Sequence, residues 1–332
     1  MKLSLPTLIL SSLILLGFVA PRSILAESAS GSMDVRWDAG AETCKPAATG
    51  SPIQVHTFDA QTFVLREKLC ATWEAPFMYL LVGSKRALLI DTGDVGDPGM
   101  MPLATTVMGL LPGDAGTKMP LLVVHSHGHL DHREGDRQFE NRPGVEVVPS
   151  DLAHVRQYFH FADWPLGTAQ VDLGDRIIDV LPTPGHHPAH LVYYDRNTGM
   201  LFSGDYLVQG RILVDDLTAY LASARRVADF VKNRPVTYVL AGHIEKNRDG
   251  ELLPWQSTYH PNEHALQLTK ADVLALPAAL EKFNGFYRED GGFVIENPMR
   301  ILAVVAAGTL LVLVAAGVFL FRFIRRRKRR PA

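Results

Sequence analysis

The sequence predicts an α/β fold with helix-covered sheets, tethered by one C-terminal membrane helix. Two observations carry that prediction. Between Ile53 and His243, short β-type runs alternate with helical segments. At the far end, Ile301–Phe321 is a run of twenty-one residues without a charge. Roughly 270 residues lie between the two chain ends, enough for one large domain, and they contain no low-complexity tract and no short-period repeat.

The first part of that body is rich in strands. IQVHTF, TFVLREKL, FMYLLVG and RALLIDTG are β-type runs broken by Gly, Pro and Asp. MPLATTVMGLLPG reads as a helix ended by Pro112 and Gly113. LLVVHS is a buried strand by its apolar run, and DHREGDRQF starts a helix directly after it. VEVVPS is a strand followed by the helix DLAHVRQYFH, capped by Asp151 or Ser150. RIIDVLPTPG, HLVYYDRN and GMLFSGDYLV are further strands, the last two joined by a hairpin turn at DRNTG. LTAYLASARRVADFVKNR is an amphipathic helix, VTYVLAGH a strand, and TKADVLALPAALEKF a final helix before the apolar run.

The two ends define topology. Residues 1–26 pair one lysine with a continuous apolar stretch and small residues near Ala26, the layout of a secretory signal peptide. An uncleaved N-terminal membrane helix is the alternative, and either device exports the body. At 1.5 Å per residue, 301–321 spans a hydrocarbon core of roughly 30 Å. A buried soluble helix would not be apolar all round and end in seven cations. The basic tail 322–332 marks the cytoplasmic side; it serves as a topology determinant, or also holds anionic headgroups. The organisation expected is therefore signal peptide 1–26, N-terminal extension 27–52, folded domain 53–298, membrane helix and tail.

Charge and cysteine usage narrow the function. The chain carries −2 overall, and removing the seven tail cations together with Lys2 and Arg22 leaves about −11 on the exported body. Phosphate backbones require a basic stripe, which this body lacks, so nucleic acid is excluded as a partner and a small molecule is expected. Cys44 and Cys70 are the only cysteines. In an oxidising compartment two thiols most simply form one disulfide; their spacing is too wide for a zinc knuckle.

VHSHGHLDHREG, from Val124, packs four of the chain's thirteen histidines and Asp131 into eight positions, directly after a buried strand. His127 and His129 are two apart, so in extended backbone they face one side and can bite one ion. Asp131 and His132 fall after the turn and aim at a neighbouring position. Imidazole and carboxylate suit zinc or iron. Further donors stand at other strand ends, each after a glycine: His186 in LPTPGHHPAH, Asp205 in LFSGDY and His243 in VLAGHIE.

HSHGHLDH, TPGHHPAH, SGD and AGH, in that order, closely resemble the motifs of the metallo-β-lactamase superfamily. The resemblance implies a four-layer αββα sandwich. It implies one metal on His127, His129 and His186, a second on Asp131, His132 and His243, and Asp205 bridging both. Two zinc ions are expected, with iron or manganese as alternatives. IDTG matches the superfamily's acidic strand end, so Asp91 would orient a ligand histidine rather than bind metal. His129 stands where flavodiiron oxygen reductases of the superfamily carry glutamate, which argues against that branch.

A hydroxide held between two such ions is a nucleophile near neutral pH, and Asp131, the expected catalytic residue, would orient it and pass on its proton. Esters, thioesters, lactones and β-lactams all fit. Glyoxalase II-type enzymes continue into a helical segment that grips glutathione; here a polar loop, one helix and the anchor follow His243. The alternatives are a mononuclear-iron sulfur (persulfide) dioxygenase and a non-catalytic tethered metal-binding ectodomain. Among the remaining histidines, His125 reads as packed below the site, and His190 as either approaching the metals or making a structural hydrogen bond. Tyr206 either touches a carbonyl oxygen or completes its strand. In the loop after His243, Trp255, Tyr259, His260 and His264 either line the entrance or are solvated.

Overall fold

In a strand, neighbouring side chains point to opposite faces, and one tyrosine pair shows what that alternation builds here. Tyr193 donates to the His125 carbonyl (2.7 Å) of one sheet, whereas Tyr194 packs edge-on against Phe230 of a helix on the other side. A sheet so covered on both faces is the inner half of a layered sandwich. The computed structural model describes residues 31–44, 51–114 and 116–327; the expected signal peptide and the last five residues of the tail lie outside them.

The first sheet runs in sequence order: β1 (Ile53–Asp59), β2 (Thr62–Glu67), β3 (Phe77–Val82), β4 (Ala87–Ile90), β5 (Leu121–Val124) and β6 (Val145–Val147). It is antiparallel up to β4 and parallel from there, because α1 (Leu103–Leu110) crosses over between β4 and β5. The short helix α2 (Leu130–Arg133) follows β5, and α3 (Leu152–Tyr158) follows β6. Asp151, not Ser150, caps α3 by accepting from the amides of Ala153 and His154.

The second sheet contains β7 (Ala169–Asp172), β8 (Ile177–Pro182), β9 (Leu191–Asp195), β10 (Met200–Gly204), β12 (Tyr238–Ala241) and β13 (Gln267–Leu268). Its one parallel pair, β10 with β12, is joined by α4 (Leu217–Val231). β11 (Arg211–Leu213) leaves this sheet and forms a small one with β14 (Tyr287–Asp290) and β15 (Phe293–Glu296). α5 (Lys270–Glu281) begins where Thr269 and Asp272 form a reciprocal capping box.

Val64, Tyr79, Ile90 and Val124 of the first sheet meet Val180, Phe202 and Leu240 of the second in one buried core. Leu65, Leu80, Leu89 and Val123 point the other way, onto Leu103 and Val107 of α1. Ala224, Val227 and Val273 of α4 and α5 join the main core beside the second sheet. The order α1, sheet, sheet, α4–α5 is the αββα sandwich. Truncating one of these buried leucines should cost about 2–5 kcal/mol.

Several details depart from expectation. The motif helix is one turn only, followed by a 3-10 turn over Glu134–Gln138. Gly135 lies so close to the Thr92 carbonyl that a Cβ would stand 2.2 Å from it, so this backbone tracks the end of β4 rather than winding on as a free helix. β7, β11, β13, β14 and β15 are short strands with weak patterns. Residues 31–44 pack against the domain, with Met33 and Trp37 in the main core, and Cys44 is disulfide-bonded to Cys70 as the cysteine count leads one to expect. The last described element is α6 (Pro298–Arg327), whose segment Pro298–Arg322 is long and apolar enough to cross a membrane.

Candidate metal centre

Both sheets deliver their strand ends to one edge of the sandwich. β4 and β5 run parallel with Ile90 opposite Val124, so Asp91 arrives beside the start of the histidine motif. β10 and β12 end together, Asp205 following one and His243 the other. Two glycines permit this crowding. A Cβ on Gly204 would stand 2.5 Å from the Ser126 Cβ, and one on Gly242 would stand 2.4 Å from Asp205 Oδ1.

The seven predicted donors form two clusters, His127–His129–His186 and Asp131–His132–Asp205–His243, each with one donor atom per residue and all within 4.8 Å of one another. In the first, His127 Nε2 lies 2.8 Å from His129 Nδ1, and His186 Nε2 lies 3.2 Å from both. In the second, Asp131 Oδ2 lies 3.2 Å from His132 Nε2 and 3.1 Å from His243 Nε2. Asp205 faces both, with Oδ2 3.7 Å from His186 Nε2 and Oδ1 3.5 Å from His132 Nε2 and 3.6 Å from His243 Nε2.

The outer nitrogens explain why the inner ones are free to bind. His186 Nδ1 donates to the Leu213 carbonyl (3.1 Å) and His243 Nδ1 to the Glu74 carbonyl (2.9 Å). His132 Nδ1 donates to Asp91 Oδ2 (2.9 Å), and His127 Nδ1 to Ser126 Oγ (3.1 Å). Each of these four rings is thereby left with Nε2 as its inward nitrogen, the one a metal would bind. Converging lone pairs repel unless a cation accepts them, and donors about 3.3 Å apart are what a tetrahedral zinc at roughly 2.0–2.1 Å requires. Asp205 Oδ1 is buried and has no hydrogen-bond donor, which an ionised carboxylate tolerates only beside a cation. The residues therefore fit divalent ions.

Electrostatics divide the two clusters. Burial and the surrounding imidazoles hold His127 well below the ordinary histidine range. Burial also pushes His132 and His243 down, but facing carboxylates outweigh it. Asp131, Asp205 and Asp91 raise His132, and Asp205 with Asp131 lifts His243 to about 10.

Asp91 lies behind the donors: it accepts from the Ser126 amide (2.6 Å) and hydroxyl (2.8 Å) as well as from His132. His125 is held by Asp136 and the Val148 carbonyl below the site. His190 stacks on His127 with centroids 5.1 Å apart and bonds Thr183. Tyr206 is buried against Tyr220 and does not reach the cleft.

The loop after His243 walls one side of the site. Trp255 packs at 5.2 Å from Trp73, and both line a pocket with Glu74, Arg211, His243 and Leu253. Its far end is pinned by Glu263, which takes two hydrogen bonds from buried Arg66 (2.6 and 2.7 Å) and one from His260 (2.9 Å). His260 and Tyr259 also meet the segment at Ala39 and Gly40, whereas the His264 ring bonds the neighbouring Ala265 carbonyl and its amide the Lys246 carbonyl. Sequence reasoning missed Ser126, Trp73, Arg211 and the two carbonyls that orient His186 and His243. For Ser126 the signal was its place inside HSHGHLDH; the others had none, because distant segments bring them in.

The profile of the metallo-beta-lactamase superfamily matches residues 71–243. The acyl-coenzyme A thioesterase MBLAC2 of Gallus gallus is 26% identical over 214 residues, which cover 55% of this chain and 77% of that protein. The hydroxyacylglutathione hydrolase of Anaeromyxobacter dehalogenans is 31% identical over 133 residues, 40% of this chain and 46% of that protein. A solved metallo-beta-lactamase from Pontibacter korlensis aligns with 70% of this chain and 100% of its own, at 18% identity and a TM-score of 0.47. The chain belongs to the metallo-beta-lactamase superfamily and is a metal-dependent hydrolase.

Proposed function

We propose that this superfamily member is an exported, membrane-anchored hydrolase that opens a small carbonyl substrate at a centre of two divalent ions, zinc by preference. The carrying observation is the pair of donor clusters sharing Asp205. His127, His129 and His186 would hold one ion, and Asp131, His132 and His243 the other. Ions bound there supply a Lewis acid for the carbonyl and lower the pKa of water from about 15.7 to roughly 7.

The chain's own residues do the rest. Asp131 is only half-buried at the rim, so its carboxylate can bind, orient and release a proton between cleft and solvent. Asp91 and Ser126 keep His132 and His127 in the binding tautomer. Trp73 and Trp255 offer an apolar wall to an acyl group on the His243 side. Ester, lactone and β-lactam carbonyls fit, and the relatives named as a thioesterase and as a hydroxyacylglutathione hydrolase favour a thioester. α6 would be the anchor, with the cationic tail in the cytoplasm and the domain outside.

The test is a panel of thioesters, esters, lactones and β-lactams on the purified full chain, with metal content measured on the same sample. Two ions per chain and a preferred carbonyl substrate are expected. One tightly held iron, inert carbonyl compounds and oxygen uptake with a persulfide would establish the dioxygenase instead.

A further inference from the structure

β11 and β15 run parallel, with Leu213 opposite Glu296. The same ends of these strands lead to two different destinations. Leu213 accepts from His186 Nδ1 at 3.1 Å, directly behind the trihistidine cluster. Glu296 is followed by Asn297 and then by Pro298, the first residue of α6. Strand spacing and chain geometry therefore put the start of α6 roughly 12 Å from Leu213, and under about 20 Å from the metal centre. That bound follows from strand pairing and connectivity and does not depend on how α6 tilts.

The surface at the base of α6 carries exposed apolar side chains. Phe286, Tyr287 and Met299 are exposed there by 43%, 42% and 66%. Phe286 accepts from the Asn297 amide (2.9 Å), and Tyr287 pairs with Glu296, so both aromatics sit beside the last residues before the helix. Arg300, in the first turn of α6, packs against Gly285. Aromatics next to an apolar helix, with a cation among them, are the composition of a membrane–water interface. The patch is continuous with the exposed apolar surface of α6, which identifies the bilayer as the occupant.

We propose that Phe286, Tyr287 and Met299 form a collar that seats the domain on the bilayer surface, so that the metal cleft works at the headgroup layer on acyl substrates carried by the membrane. This rests on the anchoring reading above. The headgroup region adds roughly 5–8 Å to each side of the hydrocarbon core, which leaves at most about 12–15 Å between it and the metal centre. The Trp73–Trp255 wall then receives the acyl chain of an amphiphile that has partitioned into lipid, rather than a freely diffusing solute.

The test uses the full chain reconstituted into phosphatidylcholine vesicles. A photo-crosslinking phenylalanine analogue replaces Phe286 or Tyr287, and Thr105 on α1 serves as control. Lipid adducts at 286 and 287 at least tenfold above Thr105 are expected. The double variant Phe286→Ser/Tyr287→Ser should still float with vesicles. It should turn over a hexadecanoyl thioester held in those vesicles about tenfold more slowly than wild type, with a soluble acetyl thioester unchanged. Flotation without lipid adducts, adducts to a second protein chain, or an equal loss on both thioesters overturns the collar alone. Failure of the wild-type chain to float overturns the anchoring reading and the collar with it.

Discussion

The trihistidine cluster and the cluster around Asp131 hold their donors by different physics. In the first, neutral imidazoles are set by neutral partners, the Ser126 hydroxyl and the Leu213 carbonyl. Among the described residues, the carboxylate that faces it is Asp205, approaching from the far side. In the second, Asp131, Asp205 and Asp91 surround His132 and His243 with negative charge. One half relies on preset lone pairs and the other on fixed charge, so the two clusters would hold bound ions by separate means.

Removing the shared carboxylate should erase that contrast. Asp205→Ala is expected to empty both clusters and cut hydrolysis by at least about 10³-fold, some 4 kcal/mol of barrier; elemental analysis retaining two ions per chain would refute the bridging role. Asp131→Ala should approach the same loss in turnover yet spare the trihistidine ion, leaving one metal per chain.

Asp91→Asn sharpens the comparison from behind. It keeps the shape but removes the charge that orients His132, so affinity should fall about 10- to 100-fold, with the Asp131 cluster affected first. Chelator titration of the variant should therefore show one weak and one nearly normal ion; equal weakening of both would mean that Asp91 acts mainly through Ser126 on the whole motif. Trp255→Ala lies outside both clusters. Metal content should be unchanged while KM for an acyl substrate rises several-fold, and steady-state kinetics at fixed metal loading would expose any error in that separation.

The smallest expected effect concerns Glu67, buried at the end of β2. Burial raises its pKa from 4.5 to about 8, although it accepts hydrogen bonds from the Asp94 and Val95 amides. Between those two values the folded protein holds a proton that the unfolded chain has released, so stability falls as pH rises through the window. Glu67→Gln should raise the unfolding temperature at pH 8 and hardly change it near pH 4. A thermal melt at each pH suffices, and an equal shift at both would show that charge is not the cause.

The legible part of this molecule was the part whose chemistry is local. HSHGHLDH, TPGHHPAH, SGD and AGH each place donors directly after an apolar strand, and the apolar run before the cationic tail is visible without any partner. α4 announces its buried stripe through 3.6-residue spacing, and Asp151 and Thr269 are cap residues of a recognisable kind. By contrast, β11, β14 and β15 are three or four residues long, too short to carry a period, and exist because they find one another across some eighty residues.

The sequence by itself determined the ligand types, their order along the chain, the α/β alternation and an apolar segment long enough to span a bilayer, because residue chemistry and short-range spacing suffice for each. Tertiary structure alone decided that Asp205 would face both clusters, that Ser126 and Asp91 would stand behind His127 and His132, and that Trp73 would meet Trp255. It also decided that α6 would begin a few residues from the strand touching His186. Each of these depends on which strands become neighbours, and that choice is made by burial of whole sheet faces, a long-range condition that no local pattern encodes.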